Sequence, residues 1–412
     1  MPLAIVIALL FAESSMNNLQ SVNIVVAFPI GAIIVMISVS FMKDAKKYTE
    51  SLDKKSRKRL TMLAMGNKLV SRAVWIELLR ILACFCVILL HISSKGWNYA
   101  GINSDKWIYY EVLNALSRIG VCIFVMISGS LFLGNKRGSS IETMRKYILK
   151  ILRLIAIWSI AYFILRLIIG DTTITNIPDL FSQILYGYYH LWYLWMILGL
   201  YVITPILHKV VSDEKMCRYL LLLCMLVCWI PEMLTIVPAW SKFVQTIFQD
   251  KMYLFLPMGY TGYYILGYYL CNYRIKKKWI FMVTGTLGMI YGVVGGALYA
   301  RNIGEPTQIT YNNLTLATVC YSAMIFIFLR EKFSGINFSE KMKKIIFTLG
   351  DSTLGIYLMH VVFVRGFSDQ FMMKTNYRYP MVSILMACMI FIVCFSITEI
   401  VKKIPVVGRW IV

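Results

Sequence analysis

The chain has 412 residues, of which 59% are apolar and 15% charged, and its formal net charge is +22. Soluble domains carry nearer a quarter charged residues, so a string of two or three soluble domains is excluded. No alternation of apolar and polar residues runs through the chain, which excludes a membrane β-barrel.

Residues 1–12 (MPLAIVIALLFA) are apolar but short of a full span, and they lack the basic start of a secretory signal. Apolar stretches then recur at 22–42, 74–93, 111–133, 150–169, 190–207, 217–237, 254–271, 279–299, 313–330, 346–366 and 380–401. Most are long enough to cross a hydrocarbon core as a helix. The expected fold is an all-α polytopic membrane protein, a bundle of about ten transmembrane helices plus one extra N-terminal span. Residues 1–73 would hold the apolar segment, the extra span and a basic linker. Residues 74–403 would form the ten-span domain and 404–412 a cytoplasmic tail. The loops are short, so any chemistry must occur between helices or at a membrane face.

The positive charge has two readings, nucleic-acid binding and membrane orientation. Its distribution decides between them. Lys and Arg number ten in 43–73, six in 134–153, three in 208–218, four in 272–279, five in 330–345 and three in 402–412. The alternate connections 94–110, 170–189, 238–253, 300–312 and 365–379 hold two, none, two, one and three. Every second loop is the basic one, which places those loops and the C-terminus in the cytoplasm. No nucleic-acid partner is expected; the bilayer is the partner. The linker 43–73 also suits attraction to anionic lipid. The ten cysteines show no CxxC pair, and neither a disulfide framework nor a metal site is expected.

Three arginines stay inside spans: Arg80, Arg118 and Arg166. An ionisable group in hydrocarbon is costly and marks function by default. In WIELLRILACFCVILLH, Arg80 and His91 are eleven residues apart, almost three helical turns, so they share one stripe roughly 16 Å long. Glu77 falls beside Arg80 and is placed to pair with it. The plain alternative is a snorkelling Arg and a satisfied interfacial His. Arg118 either snorkels outward or faces a polar cavity. Ser128-Gly129 suits close helix packing. His190 lies in an aromatic run (Tyr186, Tyr188, Tyr189, Trp192, Tyr193, Trp195) that reads as an interfacial belt. His360 ends LGDSTLGIYLMH, where Asp351 or Ser352 is expected to cap the helix start. It is a base, a relay or a hydrogen-bonded core group.

These same residues carry a resemblance. From about 72 to 403 the chain resembles the membrane-bound acyltransferase-3 family, whose members carry acyl groups to surface sugars and related acceptors. The family's basic residue, ten intervening residues and His match Arg80 and His91. Its Arg followed by an apolar run ending Ser-Gly matches Arg118 and Ser128-Gly129. HLWYLWMILGLYVITPIL, GYYILGYYL and LGDSTLGIYLMH are similar to further family segments. Glu77 stands where many members have Asp, and residues 1–73 have no counterpart in a minimal member. The hydrolase-like domain fused to some members is absent, which favours direct transfer or transfer to a separate partner.

The resemblance implies an O-acyltransferase that takes an acyl group, acetyl in the first instance, from cytoplasmic acyl-CoA. The acceptor would be a hydroxyl of a cell-surface polysaccharide or its lipid-linked precursor. Acetyl-CoA would be the donor substrate, with no permanently bound cofactor. His91, Arg80, Arg118 and His360 are then the expected catalytic residues. Glu77, Ser128, His190 and Trp192 are expected at donor or acceptor binding. Two other classes stay open: a transporter of polysaccharide or acyl units, and a non-catalytic partner in polysaccharide assembly. The lack of an obvious internal repeat counts against the transporter.

Overall fold

The computed structural model describes residues 73–135, 138–172, 176–244, 255–375 and 379–404. The apolar start, the expected span 22–42, the linker to 72 and the tail beyond 404 lie outside the described residues. Residues Ala73–Val412 form one compact unit. Among the described residues it contains helices and no strands.

In chain order the helices are α1 (Val74–Tyr99), α2 (Asp105–Ser117), α3 (Ile119–Phe132), α4 (Ile141–Ile168), α5 (Ile177–Tyr186) and α6 (Trp192–Val211). They continue as α7 (Glu214–Leu234), α8 (Pro238–Val244), α9 (Phe255–Asn272), α10 (Lys278–Ile303) and α11 (Leu316–Ser334). The last are α12 (Glu340–Phe363), α13 (Gln370–Lys374) and α14 (Val382–Lys403).

Among the described residues eight helical stretches are long and apolar enough to cross a membrane: α1, α2 with α3, α4, α6, α7, α10, α12 and α14. The other two expected spans are present as α9, with 18 residues, and α11, with 19. α9 is the less apolar because it is rich in tyrosine and glycine, and α11 is set apart by the charged run Arg330, Glu331 and Lys332 at its end. Tyr263 and Tyr264 of α9 and Phe326 of α11 are fully buried. Polar and aromatic side chains are tolerated in a span that faces the bundle interior.

Several helix ends differ from the apolar windows. α1 runs past 93 to Tyr99, because Trp97 stays buried and its carbonyl accepts from Trp107 Nε1 at 3.0 Å. α2 begins at Asp105, not 111, under a Ser104 cap, and α4 begins at Ile141, not 150, under Ser140. α12 begins at Glu340 under Ser339, so Asp351 and Ser352 lie within the helix and do not cap it. Polar first turns project beyond the apolar stretch, and hydropathy alone misses them.

Glycines set the closest helix approaches. A Cβ on Gly129 of α3 would run into the Tyr264 backbone of α9, and one on Gly267 of α9 into the Met126 backbone of α3. Backbone cannot step aside as a flexible side chain does. The Ser128-Gly129 pair is thus a packing device, as small residues in spans commonly are. Gly267→Val is expected to lower the melting temperature of the detergent-purified protein, since overpacking costs about 1–3 kcal/mol or more. Gly199 of α6 has nothing within 4 Å of its added Cβ. Gly199→Ala should leave the melt unchanged or raise it.

Candidate functional site

Three of the four histidines meet at one point. His91 comes from α1, His190 from a short 3₁₀ turn (Tyr189–Leu191) ahead of α6, and His360 from α12. The rings of His91 and His360 lie 5.2 Å apart between centroids, and those of His190 and His360 5.4 Å. His190 and His360 are buried, at 2% and 0% exposure, and His91 is half-buried. His208 stands apart, its Nδ1 2.7 Å from the Leu133 carbonyl.

Local structure explains how the three arrive together. Gly187 has a φ of 64° and sits close against Ser159, so a side chain there would be strained and crowded. That turn brings residues 188–191 inward before α6 begins. His360 lies one turn before a π-helical stretch, Val364–Asp369, a feature that frequently accompanies functional sites.

Tyrosines wall the histidines. Tyr189 lies 5.3 Å from His91, Tyr162 4.9 Å from His190, and Tyr357 5.7 Å from His190 and 5.8 Å from His360. Tyr188 stacks on Tyr162 at 4.9 Å, and the Tyr357 hydroxyl donates to the His190 carbonyl. The aromatic run around His190 is therefore only partly an interfacial belt. Trp192 and Trp195 are exposed, at 40% and 37%, while Tyr188 and Tyr193 turn inward and are half-buried.

Hydrogen bonds fix the histidine chemistry. His360 Nδ1 lies 2.6 Å from the Tyr357 carbonyl. A carbonyl only accepts, so Nδ1 carries the hydrogen and the neutral ring presents a bare Nε2 lone pair. That Nε2 is buried without a partner. Among the described residues neither ring nitrogen of His190 has a partner in hydrogen-bonding geometry, though the Leu358 backbone lies near. Among the described residues no group of His, Cys, Asp or Glu has metal-holding geometry.

Arg118 joins this site. It occupies the break between α2 and α3, close enough to His91 for their charges to interact. Its Nη2 donates to Asn114 Oδ1 at 3.0 Å. Asn114 Nδ2 donates to Ser94 Oγ at 3.0 Å, and Ser94 to the Leu90 carbonyl at 2.6 Å. The chain of bonds ties Arg118 to α1 one turn from His91. Its guanidinium lies 5.6 Å from the Tyr311 ring, and its Nε is buried without a partner. Glu111 is near but turned away: Trp97 Nε1 and Tyr311 Oη donate to its Oε2 at 2.5 and 2.8 Å. Among the described residues Arg118 makes no direct ion pair, although Glu111 is close enough for their charges to interact; Asn114 holds its guanidinium in place.

The remaining expected site residues divide. Arg80 Nη1 lies 3.2 and 3.3 Å from the two oxygens of the buried Glu77, the pairing that their spacing predicts. Gly350 of α12 leaves room for that carboxylate, since a Cβ there would overlap it. Ser128 faces the phenols of Tyr193 and Tyr201, which also feel the charge of Arg80. Glu77, Arg80 and Ser128 thus form a second polar group nearer the start of α1. Trp192 packs on Tyr260 at 5.6 Å, and Tyr260 neighbours Arg118.

Three features have no signal in the sequence reading: Tyr162 and Tyr357 as the rest of the tyrosine wall, Glu111 with Asn114, and an ion pair between Asp171 and Arg365. Arg365 also donates to the Tyr188 hydroxyl at 3.0 Å, tying the loop after α4 to the wall. The bond from Arg365 holds the Asp171 carboxyl below the usual carboxylate range. A depressed folded-state pKa stabilises above the unfolded value, about 3.9, and the benefit is lost as pH falls through the folded value. The melting temperatures of Asp171→Asn and the parent should therefore differ by a constant small amount from pH 8 to 5. They should converge below about pH 4.

Residues 73–399 match the family model of the acyltransferase-3 acyltransferase domain. No curated protein and no solved structure matches the chain.

Proposed function

The chain belongs to the membrane-bound acyltransferase-3 family, and on that premise we propose that it moves an acetyl group from cytoplasmic acetyl-CoA to a hydroxyl of a cell-surface polysaccharide or its lipid-linked precursor. One observation carries the reading: an Arg118 with no direct ion pair among the described residues is held beside His91, whose ring meets His360, itself against His190.

Acyl transfer from a thioester needs a base for the acceptor hydroxyl, a charge for the oxyanion and a grip on the donor. His91, the least buried of the three histidines, takes the hydroxyl proton. The acceptor oxygen then bonds to the thioester carbonyl carbon, and the carbonyl oxygen gains negative charge. Arg118 stabilises that charge. As the oxyanion collapses, the C–S bond breaks and the thiolate leaves, taking the proton from the imidazolium. His360 Nε2 is the nearby lone pair that holds the proton in transit. A variant of the same path has His91 carry the acyl group transiently.

The sidedness follows from the loops, whose charge pattern puts the start of α1 at the cytoplasmic face. Arg80 with Glu77 then lies toward the donor and His91 deeper. The basic inner loops draw in the anionic coenzyme. The test is incubation of membranes with radiolabelled acetyl-CoA and isolated surface polymers. Label entering a polymer in a chain-dependent manner supports the enzyme. Movement of unmodified polymer across the membrane without incorporation would instead identify a transporter.

A further inference from the structure

Away from the histidines, the connection between α9 and α10 encloses a second feature. A cavity of about 360 Å³ is lined by Tyr273, Arg274, Ile275, Lys276, Lys278, Arg330 and Glu331. That volume lies within the range of small-ligand sites. Four cations line it against a single carboxylate. Glu331 Oε2 is taken by Lys278 at 2.6 Å, which leaves Arg274, Lys276 and Arg330 without a carboxylate partner among the described residues.

The walls are anchored. The Tyr273 hydroxyl donates to the Val211 and Ser212 carbonyls at 2.8 and 3.1 Å, pinning the loop to the end of α6. Arg330 donates to the Leu270 carbonyl, pinning it to the end of α9. The first turn of α10 has no acidic residue, although a helix start favours anions. Membrane orientation alone explains basic residues in this loop. Orientation requires charge anywhere in the loop; it does not require a cavity in which Tyr273 and Arg330 are bonded to the ends of α6 and α9.

The surroundings name the ligand. The cavity joins two spans and so lies at the depth of the membrane interface. Trp279, next to Lys278, is 63% exposed, and Val283, Leu287 and Ile290 below it are exposed at 48%, 60% and 48%. These residues recur on one helix face. That face presents apolar side chains to acyl tails, with an aromatic at headgroup level. We propose that this cavity binds the phosphate headgroup of an anionic phospholipid whose tails lie along α10. Basic pockets between spans are suited to such headgroups. The site is independent of the acyl-transfer reading.

The test uses the full chain purified in mild detergent, with native mass spectrometry as the readout. The unmodified protein should retain added phosphatidylglycerol in preference to phosphatidylcholine. Combining Arg274→Ala, Lys276→Ala and Lys278→Ala should weaken retention roughly fivefold per removed charge. Combining Lys341→Ala, Lys343→Ala and Lys344→Ala, on the next basic loop, should leave it unchanged. Equal retention of both lipids by the unmodified protein would overturn the proposal. So would equal losses in the two triple variants, which would mean bulk charge only. A triple variant at the cavity that loses coenzyme A binding while keeping phosphatidylglycerol would overturn it in favour of the nucleotide.

Discussion

His91→Ala is expected to lower acyl transfer by about 10²–10⁴-fold, the range for loss of a positioned general base. Exposure as well as position singles out His91. Of the three clustered histidines, His190 and His360 are closed off at 2% and 0% exposure, while His91 keeps an open side. An incoming hydroxyl can meet only a base that is reachable. The effect should fall on kcat, with donor KM little changed, because the residue acts at the reacting atoms. His360→Ala should give a smaller loss, since it removes a proton relay and leaves the base in place. A His91→Ala enzyme with parental kcat would remove His91 from the chemistry. Melting temperature serves as the control for folding in both variants.

The second large effect concerns Arg118. Arg118→Ala is expected to cost about 10²–10³-fold in kcat, the usual loss for a donor aimed at a developing oxyanion. Arg118→Lys should recover part of this, because lysine keeps the charge and loses the planar fork that Asn114 holds. Stability separates this role from a structural one. An interior charge with no ion pair is a burden on the fold, so the alanine variant should melt no lower than the parent. If Arg118 were structural, activity and melting temperature would fall together. If both variants keep full activity, the oxyanion is stabilised elsewhere.

Much of the fold is legible in the residues themselves. All ten expected spans from 74 onward appear as helices, and the apolar windows locate their centres. The ends at Tyr99, Asp105, Ile141 and Glu340 were not legible, because caps and polar turns beyond the lipid carry no hydropathy signal. The pairing of Glu77 with Arg80 follows from helix spacing. The meeting of His91, His190 and His360 does not. They stand on three elements far apart in the chain, and only tertiary packing brings them together. Glu111 and Asn114 stand at the edge of the expected span 111–133, where hydropathy does not tell an interfacial side chain from a buried one; α2 starts at Asp105 and carries both into the interior. Tyr188 was read as facing the interface because an aromatic run looks the same whether it faces lipid or protein. Gly187, whose φ of 64° turns that run inward, was the available signal.

On the proposed function, an acyl group passes from a cytoplasmic donor to a surface acceptor through the His91 site. Sealed inverted vesicles test it most directly, with the polymer acceptor trapped in the lumen and labelled acetyl-CoA supplied outside, against the former cytoplasmic face. Vesicles with the parent chain should accumulate label on the luminal polymer, and vesicles with His91→Ala should not. Equal labelling by the two would contradict the account.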